Sequence, residues 1–326
     1  MKCHAIRIFE TGGPEVLQWE KVEVVAPGMG EVLLDQTAVG LNFIDVYHRT
    51  GLYPLEQLPA TPGMEGAGVV AAVGVGVTEL MVGDRVAYAG LPPGAYAEKR
   101  LIPADRLVAL PEKIDDRQAA AMMLQGMTAQ YLLRSTYPVQ SGDTILLHAA
   151  AGGVGLIACQ WAKALGATVI GTVGSKEKAA LAEAHGCDHT ILYRQENIVE
   201  RVREITGGVG VPVVYDSVGR ETFAASLDCL RPRGVLVSFG NASGPVAPFE
   251  PGILAQKGSL YFTRPTLMTY TASRADLLAS AEELFDIVLS GKVKIAIGQT
   301  YALADAAQAH RDLEGRKTVG STVLLP

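Results

Sequence analysis

Residues 144–165, TILLHAAAGGVGLIACQWAKAL, carry an apolar run through a glycine-rich corner into helical spacing without losing hydrophobic character. Ile145, Leu146 and Leu147 read as a buried strand. Leu156, Ile157, Cys159, Gln160, Trp161, Ala164 and Leu165 then repeat at helical spacing, and Gly166 is placed to end the helix in the left-handed conformation. Ala150, Gly152 and Gly155 fall at the small positions of a G-x-G-x-x-G fingerprint. Around Gly152, Gly153 and Val154 the backbone is open to a pyrophosphate, Gly155 lets the helix pack on the strand, and unpaired N–H groups at the helix start face the anion. Gly142-Asp143 gives a turn before the strand, residues 168–173 form a β-branched run, and a further helix begins at Ser175 or Lys176. This is a β-α-β unit of about 30 residues, which gives the fingerprint the context it needs.

The 326 residues exceed what one core holds, since chains divide beyond roughly 250–300 residues, so two domains are expected. A hydrophobic fraction of 48% against 19% charged argues for a folded chain. The net charge of −6 and the lack of a Lys/Arg cluster exclude nucleic acid as the main partner. Cys3, Cys159, Cys187 and Cys229 are scattered, which fits no disulfide framework and suits a reducing, cytoplasmic setting. The opening MKCHAIRIFE lacks the apolar core of a signal peptide, and glycines interrupt the longest uncharged stretch, so neither secretion nor a membrane span is predicted.

Up to about residue 112, strand-length segments at 5–9, 31–40, 66–77, 85–89, 94–102 and 106–110 alternate with Gly/Pro turns, as in a small, partly open barrel. Asp115 and Gln118 resemble a capping box that opens one helical stretch through Leu132, with its methionines as core filler. Gly126 there allows a bend or a close contact, and Thr128 could reach a ligand. Beyond the β-α-β unit, strands at 191–193, 213–215 and 235–239 and a helix at 222–230 imply a parallel sheet with ligand at its carboxyl edge. Tyr193, Ser217 and the run Ser238-Phe239-Gly240-Asn241 lie just past such strand ends. A last strand at 259–263 is short and apolar, an edge that a second copy could cover about a twofold axis. Ser273 caps a helix reaching Gly291, a second helix covers about 303–313, and a final strand runs from Thr322 to Leu325.

NAD-binding folds of this kind place an acid after the second strand to hold the ribose 2′-hydroxyl, about 20 residues beyond the glycines. Here that place is Gly174, followed by Ser175. An acid about 4 Å from a 2′-phosphate would cost roughly 4 kcal/mol per phosphate charge at an effective dielectric near 20, so its absence admits NADPH. Lys178, one turn into the next helix, can meet the phosphate while Glu177 points about 100° away toward solvent. NADPH is therefore the expected cofactor.

Taken together these segments resemble the medium-chain dehydrogenase/reductase superfamily, and within it the NADPH-dependent quinone oxidoreductases related to zeta-crystallin. The resemblance covers the whole chain. Its specific pieces are GGPEVL at 12–17, GLNFIDVYHRTGLYP at 40–54, GMEGAGVV at 63–70, GDRVAY at 83–88, HAAAGGVGLIACQWAKALGA at 148–167 and VYDSVGR at 214–220. SFGNASG at 238–244, GSLYFTRP at 258–265 and the closing GRKTVGSTVLLP complete them. The resemblance implies an α/β fold: a GroES-like, partly open β-barrel catalytic domain at 1–125, completed by 266–326, around a Rossmann doubly wound parallel-sheet domain at 126–265.

It further implies a nicotinamide in the interdomain cleft near Asn42, Phe43, Ile44, Thr128 and Gln130. Tyr47, Tyr53 and Arg264 are implied neighbours of the acceptor, Tyr193 and Arg316 further phosphate contacts, and Thr263 and Arg264 cofactor contacts. The zinc-dependent branch has a cysteine at Asn42 and a histidine at Met64, and neither replacement is a good zinc ligand, so no catalytic metal is expected. Asp45 and Glu65 then read as polar structure or cofactor support. The implied activity is zinc-independent transfer of reducing equivalents from NADPH to a quinone or other small electrophilic acceptor, in a homodimer. Reduction of an enal or enone double bond, and non-catalytic NADPH binding as in some crystallins, are the alternatives.

Overall fold

The computed structural model describes residues 1–326. In chain order it begins with β1 (Lys2–Arg7), β2 (Gln18–Glu23), β3 (Glu31–Leu41), α1 (Phe43–Thr50), β4 (Glu65–Val73), β5 (Arg85–Ala89), β6 (Lys99–Pro103) and β7 (Val108–Ala109). There follow α2 (Asp116–Ala120), α3 (Met123–Tyr131), β8 (Thr144–Leu147), α4 (Gly153–Ala164), β9 (Thr168–Val173), α5 (Lys176–Ala184), β10 (His189–Leu192) and α6 (Ile198–Ile205). Next are β11 (Val211–Asp216), α7 (Phe223–Cys229), β12 (Leu230–Ser238), α8 (Gly252–Gln256), β13 (Tyr261–Thr263) and α9 (Leu267–Tyr270). The chain closes with α10 (Arg274–Leu289), β14 (Ile297–Ala302), α11 (Ala306–Glu314) and β15 (Ser321–Leu325).

Two compact units result: Met1–Met127 with Thr271–Leu289 and Ile295–Pro326, and Thr128–Tyr270 with Ser290–Lys294. The sequence reading placed the breaks at 125/126 and 265/266. The break at 125/126 and the one observed at 127/128 both lie inside the continuous helix α3, and the return of Ser290–Lys294 to the second unit was not foreseen. A side chain holds that segment there: the Gln160 amide donates to Lys294 O at 3.0 Å and accepts from Lys294 N at 2.9 Å.

In the first unit β1 and β2 form an antiparallel ribbon, and the main sheet runs β14-β15-β3-β4-β5-β7 with β6 also on β3. Its two end strands are not paired with each other, so the barrel is partly open. Register shifts in the β3–β4 pair, between Leu33 and Leu34 and between Gln36 and Ala38, are bulges that bend the sheet around Ile6, Ile8, Leu34, Val39, Val70 and Ile102. Both β2 and β14 escaped the sequence reading. Each alternates between exposed and half-buried positions and so lacks the apolar run that marks a strand.

The single helix expected from Asp115 through Leu132 is broken. Asp115 does accept from Gln118 N at 2.8 Å, but α2 ends at Ala120, α3 starts at Met123, and a wide π turn follows at Leu132–Thr136. Interior side chains take the backbone groups at the break: Ser321 Oγ donates to Ala121 O at 2.7 Å, and Leu124 N donates to Glu65 at 2.8 Å. At Gly126 the close-contact reading is the one realised, because a Cβ would stand 2.5 Å and 2.7 Å from the two methyl groups of the buried Leu284.

The second unit is a six-stranded parallel sheet in the order β10-β9-β8-β11-β12-β13. Strand succession reverses direction at β8, the switch point at which doubly wound folds bind ligands. Gly155 permits the tight entry to α4: a Cβ there would come within 2.4 Å of Ala149 O and 2.6 Å of Ala150 O. For Gly126→Ala, overpacking against Leu284 should destabilise the protein by about 1–3 kcal/mol and lower the melting temperature. Adding Leu284→Ala should make the double variant less unstable than the two losses summed. Additive losses in thermal unfolding would refute that contact.

Candidate active site

In the first unit, Asn42 precedes α1, and its amide is committed in both directions. Nδ2 donates to Glu65 Oε2 at 2.7 Å, and Oδ1 accepts from Gln125 Nε2 at 3.1 Å. The Asn42 backbone N–H donates to Asp45 Oδ2 at 2.9 Å, so Asp45 caps the helix. Asp45 is fully buried, which makes it a support beneath Asn42 rather than a surface for a ligand. Phe43 and Ile44 are half-buried on the first turn, and Phe43, Tyr47 and Tyr53 form a row with ring centroids 6.2 Å and 5.1 Å apart.

Behind Asp45 runs a chain whose direction its members dictate. Arg49 can only donate, so at 3.3 Å His310 Nδ1 accepts; its Nε2–H then donates to Tyr96 Oη at 3.0 Å, and the phenol donates to Asp45 Oδ2 at 3.0 Å. Arg49 is anchored by two bonds to Glu314, at 2.9 Å and 2.8 Å. Burial, followed by the Arg49 charge, pulls His310 down to about 3 and keeps it neutral.

Burial also raises Asp45 to about 7, against the donors Asn42 N and Tyr96. It raises Glu65 to about 8, against Asn42 and the N–H groups of Leu124 and Met123.

In the second unit the sequence-predicted residues other than Thr128 and Gln130 fall at the carboxyl ends of the six parallel strands. Gly152, Gly153 and Val154 follow β8; Gly174, Ser175 and Lys178 follow β9; Tyr193 follows β10; Ser217 follows β11. Ser238 ends β12 with Phe239, Gly240 and Asn241 after it, and Thr263 ends β13 with Arg264 after it. Gly152 is the N-cap of α4 and offers no side chain to its first turn, which leaves N–H donors without an intrahelical partner. Ala149, ahead of it, is left-handed at φ 56, a conformation that costs a non-glycine residue about 1–2 kcal/mol.

A Cβ on Gly174 would stand 3.0 Å from the Tyr193 hydroxyl, so glycine keeps a cradle open beside that group. Ser175 Oγ caps α5 by accepting from Lys178 N at 3.3 Å. Glu177 is exposed, as expected, but it does not simply point away: its carboxylate takes the Ser175 hydroxyl, which holds it below the usual carboxylate range.

Thr128 and Gln130 lie on α3, where Thr128 is hydrogen-bonded to the buried Tyr131. Tyr131 stacks on Tyr270 at 4.5 Å; burial raises its phenol and the nearby Arg264 charge opposes this. Arg316 belongs to the first unit, exposed after α11 with φ 58. An open helix start, a glycine cradle and small residues at the strand ends fit a dinucleotide with pyrophosphate at α4 and an extra phosphate near α5.

A GroES-like barrel joined to such a sheet defines the class of medium-chain dehydrogenases/reductases. The Alcohol dehydrogenase GroES-like domain family matches residues 28–112 and the Zinc-binding dehydrogenase family residues 153–283. A quinone oxidoreductase of Pseudomonas aeruginosa is 58% identical over 98% of this chain and 99% of its own. The crystal structure of Escherichia coli quinone oxidoreductase complexed with NADPH superposes with a TM-score of 0.98 at 51% identity, covering 99% of this chain and 100% of that one. A 2-haloacrylate reductase of Burkholderia sp. is 49% identical over 98% of each chain. The chain belongs to the quinone oxidoreductase family within the medium-chain superfamily. No helix is long and apolar enough to cross a membrane.

The two raised carboxyls define a pH dependence. Both bind protons in the folded state that the unfolded chain releases above about pH 4. Their contribution is therefore fully present below the unfolded values and is lost as pH rises through about 7 to 8. Asp45→Asn keeps an acceptor for Asn42 N and Tyr96 while removing the charge. It should flatten the fall in urea midpoint between about pH 4 and pH 7; an unchanged slope would show that Asp45 does not titrate there.

Proposed function

We propose that this chain catalyses NADPH-dependent reduction of quinones, with the cofactor lying across the carboxyl ends of β8 to β13. The observation that carries this is the convergence of the candidate residues of the second unit other than Thr128 and Gln130 on the ends of the six strands. The quinone oxidoreductases among its relatives, one of them complexed with NADPH, point the same way. NADPH, when bound, supplies the hydride and its electron pair. The protein's part is to hold, orient and exclude.

Gly152, Gly153 and Val154 offer backbone N–H groups to the pyrophosphate. Ser175, Lys178 and Tyr193 take the 2′-phosphate; for this the Ser175 hydroxyl turns from Glu177 toward the new acceptor. Ser217, Ser238, Phe239, Gly240, Asn241 and Thr263 line the strand ends along the cofactor. Within the first unit, Asn42, Phe43 and Ile44 face the nicotinamide, with Asp45 and Glu65 fixing Asn42 from behind. In the second unit, Thr128 and Gln130 are proposed as further cofactor contacts.

Tyr47, Tyr53 and Arg264 are proposed for the acceptor. A quinone accepts hydride without a Lewis acid, and its oxygens take protons from solvent. We accordingly propose a zinc-independent reaction: the Asn42 amide is already spent on Glu65 and Gln125, and a thioether replaces the second ligand. The relative named for reducing 2-haloacrylates favours activated alkenes as a second acceptor class.

We also propose a homodimer. β13 ends the sheet, is paired on one side only, and carries Tyr261 at 62% exposure, so joining two such edges would satisfy both. A cytoplasmic setting suits four free thiols.

Steady-state oxidation of NADPH against a panel of quinones and activated alkenes tests the activity. Quinone turnover is expected, and alkene turnover alone would replace the reading with the second one. Lys178→Ala should raise KM for NADPH severalfold and leave that for NADH nearly unchanged; an equal effect on both would remove Lys178 from the phosphate site.

A further inference from the structure

Beneath the phosphate loop lies a buried polar chain that the proposed contacts leave unused. His148 follows β8 directly, with Nδ1 3.0 Å from Thr172 Oγ1 on β9 and Nε2 3.0 Å from Ser226 Oγ on α7. Ser226 Oγ lies 2.9 Å from Asp216 Oδ2 at the end of β11. All four side chains are 2% exposed or less. Serine, histidine and aspartate here do not form a nucleophilic triad, because the serine stands between the other two and no substrate reaches it.

The direction of the chain follows from Asp216. Its Oδ1 accepts from Val218 N at 2.8 Å and Gly219 N at 3.0 Å, and its Oδ2 from Thr222 Oγ1 at 2.7 Å and from Ser226. Four donors occupy both oxygens, so the carboxylate only accepts, and charge-assisted bonds of this kind are about twice as strong as neutral ones. The Ser226 proton is therefore given to Asp216, and Ser226 accepts from His148 Nε2–H. With the ring neutral, its Nδ1 accepts the Thr172 proton, and a Thr172 lone pair remains for Ala149 N–H at 3.3 Å. Burial, which lowers His148, agrees with the neutral ring. The chain thus ends on the left-handed residue that opens the phosphate loop.

We propose that Thr172, His148, Ser226 and Asp216 form a one-directional strut that holds Ala149, and hence the N–H groups of Gly152 to Val154, in the geometry that binds the cofactor pyrophosphate. These are positioning residues, since none of them touches the cofactor. Asp216 also carries Ser217 and accepts through its own carbonyl from Phe239 N at 2.8 Å, so one group fixes the loops after β8, β11 and β12 together. The inference rests on NADPH lying across these strand ends.

Two measurements test it on the full chain. In long-range 15N–1H spectra of the histidine-labelled protein, the His148 signal, assigned by its loss in His148→Gln, should show a protonated Nε2 and an unprotonated Nδ1. The opposite tautomer would overturn the proposed direction. In fluorescence titration with NADPH, Thr172→Val should weaken binding roughly tenfold, as expected for a lost buried hydrogen bond, with kcat at saturating NADPH within about twofold of the parent. Thr172→Ser should restore the affinity. Parent-like affinity in a folded Thr172→Val, or loss of kcat with unchanged affinity, would overturn the strut. Absence of NADPH binding by the unmodified protein would instead remove the functional reading beneath it.

Discussion

A buried hydrogen-bonded chain has only one direction once one of its members can solely give or solely take. In the second unit Asp216 takes, with four donors on two oxygens, and the proton positions of Ser226, His148 and Thr172 follow. In the first unit Arg49 gives, and those of His310 and Tyr96 follow until Asp45 is reached. Both chains pass through a neutral imidazole held by burial. An unpaired polar group at such depth would cost about 1–3 kcal/mol, so each chain is held together by what its rupture would leave unsatisfied. Each also ends on backbone: Ala149 ahead of the phosphate loop, and Asn42 ahead of α1.

What the sequence disclosed and what it hid divide along the same line. The glycine loop, the alternation of strands and helices and the residues past the strand ends were legible because each is a local matter of spacing and side-chain size. Ser175 as a cap and Gly174 as a place without a carboxylate were legible for that reason too. The strands β2 and β14 were not, since a strand that alternates between exposed and half-buried positions lacks the apolar run that separates it from a loop. Nor was the break between α2 and α3, which Glu65 and Ser321 impose from distant parts of the chain. His148 and Ser226 meet across 78 residues, and nothing in the spacing of either announces the other. The Ser175–Glu177 bond is local but depends on a side-chain rotamer that a helical wheel cannot supply.

The division of labour between the units is chemical. The second presents backbone and small polar groups, suited to a charged, extended cofactor that a protein must hold without crowding. The first holds the aromatic row Phe43, Tyr47 and Tyr53 on and just after α1, the helix that Asn42 precedes. Asn42 is a hydrogen-bond hub, with its backbone N–H taken by Asp45 and its side-chain amide by Glu65 and Gln125.

The placement of NADPH along the carboxyl ends of β8 to β13 is tested most directly by amide hydrogen exchange with and without saturating NADPH. The account predicts slowed exchange in the second unit at residues 149–156, 174–178, 217–219 and 239–241, with the first of these protected most. Unchanged exchange at 149–156 under conditions where NADPH is shown to be bound would contradict it.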